Sequence, residues 1–216
     1  MSGAPPEGAA GRQWFLETFA VSRETADRFD RYAALLAEWQ TRFNLVGPAT
    51  LPHIWTRHIG DSAQLVQLIP PAAHRLRWLD IGSGAGFPAL VVALLRPDID
   101  FLLVDSVGKK CRFLETAIAE LGIGHASVHN GRIETLSIQK VDVISARACA
   151  PLAKLFDWGL PYQAKSCVWL LPKGEKAADE VAEARKRYDF DLELIPSLTD
   201  SRARIVKASH VRGKRR

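Results

Sequence analysis

Residues 77–88 constrain this chain more than any other stretch. The short apolar run Trp78–Ile81, which carries Asp80, passes directly into Gly82-Ser83-Gly84-Ala85-Gly86-Phe87-Pro88. A short apolar run bounded by glycine predicts a buried strand. Glycines after a strand let the backbone turn tightly and approach a ligand, and Pro88 suits the first turn of a helix. Strand, glycine turn and helix in that order open a doubly wound α/β fold, and the chain downstream keeps the alternation. Strands are predicted at Trp78–Ile81, Phe101–Val104, Ala126–His129, Val141–Ser145, Ser166–Leu171, Phe190–Leu194 and Ala203–Lys207. Helices are predicted at Pro88–Leu95, Lys109–Leu121, Pro151–Leu160 and Glu175–Arg187. The last two strands leave no room for a helix between them. They are expected to pair as an antiparallel hairpin at one edge of a mostly parallel, Rossmann-like sheet.

The chain upstream of Arg77 is helical in pattern. Phe29, Tyr32, Leu36, Trp39 and Phe43 recur three or four apart, which predicts an amphipathic helix over Ser22–Phe43 with Ser22 as its N-cap and Pro48 beyond its end. Trp55–Leu68 again reads as helix. The expected organisation is a disordered lead-in at 1–11, a helical extension at 12–73, the α/β domain at 74–208 and a basic tail at 209–216. A length of 216 residues with 47% hydrophobic content suits one such domain with a real core. No apolar run approaches the roughly 20 residues of a membrane span. Met1–Gly11 has no basic segment leading into an apolar one, so no secretory signal is expected and the expected location is cytoplasmic.

Composition narrows the chemistry. The three cysteines, Cys111, Cys149 and Cys167, include no C-x-x-C pair, and the six histidines include no H-E-x-x-H, so neither a disulfide framework nor a metal site is expected. The formal charge of +5 and a pI near 9.3 favour a polyanionic partner mildly. Lys109, Lys110 and Arg112 cluster mid-chain. Arg202, Arg204, Lys207, Arg212, Lys214, Arg215 and Arg216 crowd the end, and for the last five residues a solvated tail is an equal reading.

Two cofactor classes use a glycine turn of this kind. A dinucleotide site wants G-x-G-x-x-G so that pyrophosphate can sit on the helix N-terminus. Here Gly86 comes one residue early and Phe87 fills the place that motif keeps small. The pattern [D/E]-x-G-x-G-x-G instead resembles motif I of class I S-adenosylmethionine methyltransferases. In that reading Asp80 holds the cofactor's ammonium directly or through water, and Gly82, Gly84 and Gly86 leave space for its methionine chain. Asp105, with Ser106, ends the next strand about 20 residues on, where an acid binds both ribose hydroxyls; capping of the following helix is the alternative. After the third strand, Ile133 and Glu134 fall where such enzymes contact adenine.

The loop after the fourth strand, Ser145-Ala146-Arg147-Ala148-Cys149-Ala150-Pro151, faces the acceptor in this class. It is neither [D/N]-P-P-[Y/F/W] nor a Pro-Cys pair. Cys149 as a nucleophile is less favoured than a small buried apolar role. Arg147 has the chemistry to contact a cofactor carboxylate, an RNA phosphate or the O6 edge of guanine, or to form a structural ion pair with Asp142 or Asp157.

Across the whole chain the pattern resembles the RsmG family, also called GidB, of bacterial small-subunit ribosomal RNA guanine-N7 methyltransferases. The matching stretches are Phe43-Asn44-Leu45, Arg57-His58-Ile59-x-Asp61-Ser62, Leu79 through Pro88, Asp105-Ser106-x-x-Lys109-Lys110-x-x-Phe113-Leu114, Arg132-Ile133-Glu134, Ser145-Ala146-Arg147-Ala148 and Lys173-Gly174. They keep the family's order and span about Leu36 to Lys207. The resemblance implies S-adenosyl-L-methionine as cofactor, a guanine of 16S ribosomal RNA as acceptor, and cofactor contacts at Gly82, Phe87, Ile133-Glu134 and Arg147. Two positions depart from it: Ala89, where the family often has Gly, and Cys149, where it often has an aromatic. Ala89 falls at a helix start, where alanine is a good former, and no loss is expected.

Guanine N7 has an in-plane lone pair and needs no deprotonation. No catalytic base or covalent nucleophile is therefore required, and none is assigned; alignment and charge carry the reaction. RNA contacts are expected from Arg57, His58, Lys109, Lys110, Arg112, Arg147 and Lys173 around the cofactor cleft. His58 and Asp61, three apart on one helix face, have a structural alternative: pairing, or packing on the sheet. Trp55 or Phe87 offers a stacking surface for an unstacked guanine, with core packing as the stronger expectation for both. The partner is expected to be the small ribosomal subunit and the protein a monomer. Rival readings are a methyltransferase for a small molecule or protein, which predicts no cationic rim, and a non-catalytic RNA-binding module, which the intact glycine and acid positions oppose. A nicotinamide dehydrogenase is opposed by Phe87.

Overall fold

The computed structural model describes residues 6 and 8–214. Its strands are β1 (Arg77–Ile81), β2 (Asp100–Asp105), β3 (Ala126–Asn130), β4 (Val141–Ser145), β5 (Gln163–Lys173), β6 (Tyr188–Pro196) and β7 (Arg204–Gly213). They form one sheet in the order β3-β2-β1-β4-β5-β7-β6. β1 to β5 pair in parallel, and β7 runs antiparallel to both β5 and β6. All seven predicted strands are present, with their ends extended by a few residues.

Period-two alternation along the central strands divides the core between two faces. Trp78, Phe101, Leu103 and Leu170 point to one face, under α4 (Ala89–Leu95) and α5 (Gly108–Glu120). Leu79, Val104, Trp169 and Leu171 point to the other, under α6 (Leu152–Gly159) and α7 (Ala177–Ala184). Helices on both faces make the sheet doubly wound, and the strand order reverses between β1 and β4.

The N-terminal helices thicken the first face. α1 (Gly8–Thr18) and α2 (Arg23–Gln40) precede a 3-10 segment at Pro48–His53. From Trp55 to Leu68 the chain stays helical but changes pitch, through a π turn, α3 (Asp61–Ala63) and a 3-10 turn. Ser22 caps α2 as expected, its side-chain oxygen accepting from Thr25 N at 3.2 Å. Phe15 of α1 sits 4.9 Å from Phe29 and 5.8 Å from Trp55, ring centre to ring centre. That packing explains one departure from expectation: residues 8–11, read as lead-in, begin α1. Trp55 follows its stronger expectation, packed on Phe15 of α1 with the Arg12 guanidinium 5.8 Å from its ring. At the other end, β7 carries residues 209–213 of the expected tail into the sheet; the cations Arg215 and Arg216 lie outside the described residues. Among the described residues no helix is long and apolar enough to cross a membrane.

Candidate active site

A cleft of about 820 Å³ opens at the carboxyl ends of β1, β2 and β4. This is the reversal point of the strand order, where ligands of open α/β sheets bind. Gly82, Gly84, Phe87, Asp105, Ser106, Ile133, Glu134, Arg147, His58 and Lys110, all singled out in the sequence, line it. Asp80 and Gly86 lie behind that surface.

Asp80 ends β1 and is fully buried. Ser145 of β4 donates to its Oδ1 at 2.5 Å, and Trp78 Nε1 donates to Ser145 at 2.7 Å. Its Oδ2 is buried without a partner. Burial pushes the carboxyl up to about 6, against the pull of the Ser145 hydroxyl and the charge of Arg147. A buried carboxylate with one oxygen satisfied and one bare is half of a cation site. The glycine turn wraps over it. Gly82 has φ +70° and a Cβ there would lie 2.2 Å from Cys149 Sγ. Gly86 has φ +90° and a Cβ there would strike Leu90 and the Tyr32 hydroxyl. Tyr32 of α2 in turn donates to Ala85 O, so the N-terminal extension braces the turn from behind.

Both carboxylate oxygens of Asp105 are engaged by backbone. Its Oδ1 accepts from Val107 N at 2.9 Å at the start of α5, and its Oδ2 accepts from Gly84 N at 2.9 Å. The carboxylate thus ties β2 to the glycine turn and still faces the cleft. Ile133 is buried at the cleft wall, and Glu134 is exposed beside it with Arg132 at 3.8 Å.

Arg147 is an ion-paired hub, but with neither Asp142 nor Asp157. Asp142 accepts from His74 and from Arg77 N, and Asp157 from Arg187. Arg147 instead donates to His58 Nδ1 at 2.6 Å, to Arg57 O at 3.0 Å and to Asp61 Oδ2 at 3.4 Å, with its guanidinium 5.0 Å from the Phe87 ring. His58 stacks on the same ring at 5.0 Å, and its Nε2 lies 2.8 Å from Thr50 Oγ1. Burial, then the charges of Arg147 and Arg57, lower the His58 pKa to about 3. His58 is thus a neutral acceptor, with Nδ1 bare and Nε2–H facing Thr50, and not the RNA-facing cation expected. Phe87, covered by His58, Arg147 and Tyr32, is core rather than a stacking platform.

Lys173 also departs from expectation. Its ammonium donates to Ala150 O at 2.7 Å and pairs with Glu180 at 2.8 Å, and its side chain is 8% exposed. That charge is spent inside the β5–α7 joint. Lys109 is exposed, 5.0 Å from the Phe43 ring; Arg112 is exposed one turn on. Cys149 as a residue is exposed at the cleft mouth and not a buried apolar filler, with its sulfur turned in against Gly82. Burial and the charges of Asp80 and Asp105 raise its thiol pKa, which opposes a nucleophilic role.

Some of the wall had no expected site role. Leu45-Val46-Gly47 lies across the cleft, held by Gln40, which accepts from Leu45 N and Val46 N and donates to Val46 O. Val107, 45% exposed, and Trp158 of α6 add apolar surface. Phe43-Asn44-Leu45 was noticeable as a motif, but only the folded chain brings it to the cleft.

Solved structures share this architecture. A methyltransferase from Aquifex aeolicus described as SAM dependent superposes with a TM-score of 0.55 at 12% identity, over 76% of this chain and 94% of that one. A ribosomal protein L11 methylase from Lactobacillus delbrueckii gives 0.55 at 15% identity, over 71% and 79%. At such identities the likeness concerns fold alone. A sheet of this order, with a glycine turn at its reversal point and acids at the ends of β1 and β2, is the fold of the class I methyltransferases. Within that class, residues 25–206 match the family described as rRNA small subunit methyltransferase G, or GidB, and the chain belongs to that family. Relatives named ribosomal RNA small subunit methyltransferase G include one from Hyphomonas neptunium, 46% identical over 86% of this chain and 88% of its own length. Another, from Methylobacterium nodulans, is 45% identical over 95% and 98%.

Proposed function

We propose that this methyltransferase modifies N7 of one guanine in the 16S RNA of the small ribosomal subunit, acting as a monomer in the cytoplasm. The observation that carries the reading is the pair Asp80 and His58. One is a buried carboxylate with a bare oxygen beside the glycine turn; the other is a histidine lining the same cleft, and it already accepts from Arg147. A cleft with a buried carboxylate behind its glycine turn and a histidine with no free basic nitrogen in its wall suits an acceptor that brings its own lone pair, as guanine N7 does.

S-Adenosyl-L-methionine, when bound, supplies an electrophilic methyl group on a positively charged sulfur. Asp80 holds the ammonium of its amino-acid end, directly or through water, and Gly82 and Gly84 give the backbone room to pass the chain. Asp105, with Ser106 beside it, receives the ribose hydroxyls. Ile133 and Glu134 meet the adenine, with Val107 and Trp158 as further apolar wall. Phe87 sets the position of Arg147, whose charge is paired with Asp61 and so opposes the developing positive purine less than a bare guanidinium would. Lys109, Lys110 and Arg112 face RNA across the rim. The expected catalytic gain is one of alignment and of charge placed in advance.

The test is methyl transfer from labelled S-adenosylmethionine to small subunits from a strain lacking this enzyme, mapped by N7-methylguanine-specific chain cleavage. One cleavage in 16S RNA, absent with Asp80→Ala, is expected. Cofactor binding without transfer to subunits or free RNA overturns the acceptor and favours a small molecule.

A further inference from the structure

A second cleft, of about 580 Å³, lies beside the first, and the two share Arg147, Ala148 and Cys149. Its volume falls in the roughly 300–1,000 Å³ range of small-ligand sites. The first cleft holds the features read above as cofactor contacts. Apart from the shared Arg147 the second holds none of them, and its walls are of a different kind. They come from the π turn at Arg57, from the end of β5 and from the turn joining β6 to β7.

The cations of the second cleft differ in how firmly they are committed. Lys173 is neutralised by Glu180, and Arg147 is held by Asp61 and His58. Arg57 is 49% exposed and meets only Asp200, at 3.6 Å. An exposed ion pair that long is worth roughly 0–1 kcal/mol, so its guanidinium is free to turn to another anion. Arg204 donates from one nitrogen to the carbonyls of Ser201 and Ala203, both neutral. Those contacts fix the head group without discharging it. Two guanidiniums, one in a long exposed pair with Asp200 and one held by neutral carbonyls, thus face one cavity.

We propose that the second cleft receives the phosphates flanking the acceptor nucleotide, with Arg57 and Arg204 as the gripping cations, while the base itself enters at the shared rim Arg147–Cys149. This rests on the RNA reading given above. Transfer requires the acceptor nitrogen to reach the methyl from outside the cofactor cleft. The shared rim is where Cys149 Sγ packs against Gly82, next to the end of the cleft marked by Asp80. A nucleotide entering there extends its backbone away from the cofactor, into the second cleft. Guanidinium is the side chain best matched to a phosphate.

The experiment uses the full chain, wild type and the variants Arg57→Ala, Arg204→Ala and the double variant. S-Adenosylhomocysteine affinity is measured by calorimetry, and RNA KM by transfer to small subunits across a salt series. Expected are unchanged S-adenosylhomocysteine affinity, transfer to the same guanine at saturating RNA, and a KM raised severalfold or more per arginine. The slope of log affinity against log salt should become shallower by about one per arginine, the signature of a lost phosphate contact. A merely structural role leaves that slope alone. Wild-type transfer with unaltered slopes and KM in all three variants overturns the cleft assignment only. Wild-type protein that binds S-adenosylhomocysteine and methylates no RNA overturns the function and the cleft assignment together.

Discussion

Replacing Asp80 with Asn is expected to stabilise the cofactor-free protein while destroying its cofactor site. In the fold the carboxyl titrates near 6, against 3.8 for an unperturbed one, because it is buried with Oδ2 unpartnered. A difference of about 2, at about 1.4 kcal/mol each, makes about 3 kcal/mol. The sign follows from proton uptake. Between about pH 4 and 6 the folded protein binds the proton that the unfolded chain has released, so stability falls as pH rises through that window and the full cost stands above it. Asn keeps an acceptor for Ser145 and carries no charge, but it buries an amide N–H where Oδ2 stood, which returns about 1 kcal/mol. The net gain is about 1–2 kcal/mol, or a Tm rise of about 2–8 °C for a chain of this size. Linkage cuts the wild-type cost by about 2 kcal/mol between pH 7.5 and 4.5, so the gain should vanish near the lower pH. Thermal melts of cofactor-free wild type and Asp80→Asn across that range, with calorimetric titration of S-adenosylhomocysteine, read both halves. The variant should melt higher at pH 7.5 and bind at least tenfold more weakly. A lower melting point at pH 7.5, or a difference that does not change with pH, would falsify the account of Asp80 as a strained, bare carboxylate.

Three more outcomes follow from the same geometry. The neutral His58 contributes stability that is fully present above pH 6.5 and is lost as pH falls toward 3. His58→Asn should therefore flatten the pH dependence of urea unfolding between those values by up to one proton; identical slopes refute a buried neutral histidine. Gly82→Ala meets both the +70° φ and the Cys149 sulfur, so S-adenosylhomocysteine binding should be lost. Adding Cys149→Ala should restore only part of it, since the backbone costs about 1–2 kcal/mol by itself; full affinity in the single variant contradicts the close approach. Lys173→Met should cost about 3 kcal/mol in denaturant unfolding by stranding Glu180 and leave the salt slope of RNA binding unchanged. A shallower slope would return Lys173 to the RNA-facing set.

What was legible in the sequence was whatever short-range pattern determines. The strand, glycine turn and helix at 77–95 are set by residues adjacent in the chain, and the structure places them within a residue of the prediction. Asp105 shows the intermediate case: its position at a strand end was readable, but not that one oxygen accepts from Val107 N and the other from Gly84 N, tying β2 to the glycine turn. Contacts across long sequence separations were not legible. Nothing local distinguishes Lys173, paired inward to Glu180, from Lys109, open to solvent. The same holds for His58, which loses its charge only because Arg147, distant in sequence, is folded onto it. Asp61 was quoted as part of a motif, yet its role depends on where β4 and the β6–β7 turn arrive: it accepts from Arg147, Gln64 and Thr199 at once. The start of α1, residues 8–11, was missed because its Gly and Ala resemble a tail, and Phe15 becomes a core residue only against Phe29 and Trp55. These long-range contacts have one consequence in common. Tyr32, His58 and Asp61 all come from the N-terminal extension, and through Ala85 and Arg147 they hold the glycine turn and the acceptor loop in place. The extension is therefore part of the site's geometry, which no reading of the glycine motif alone would have required.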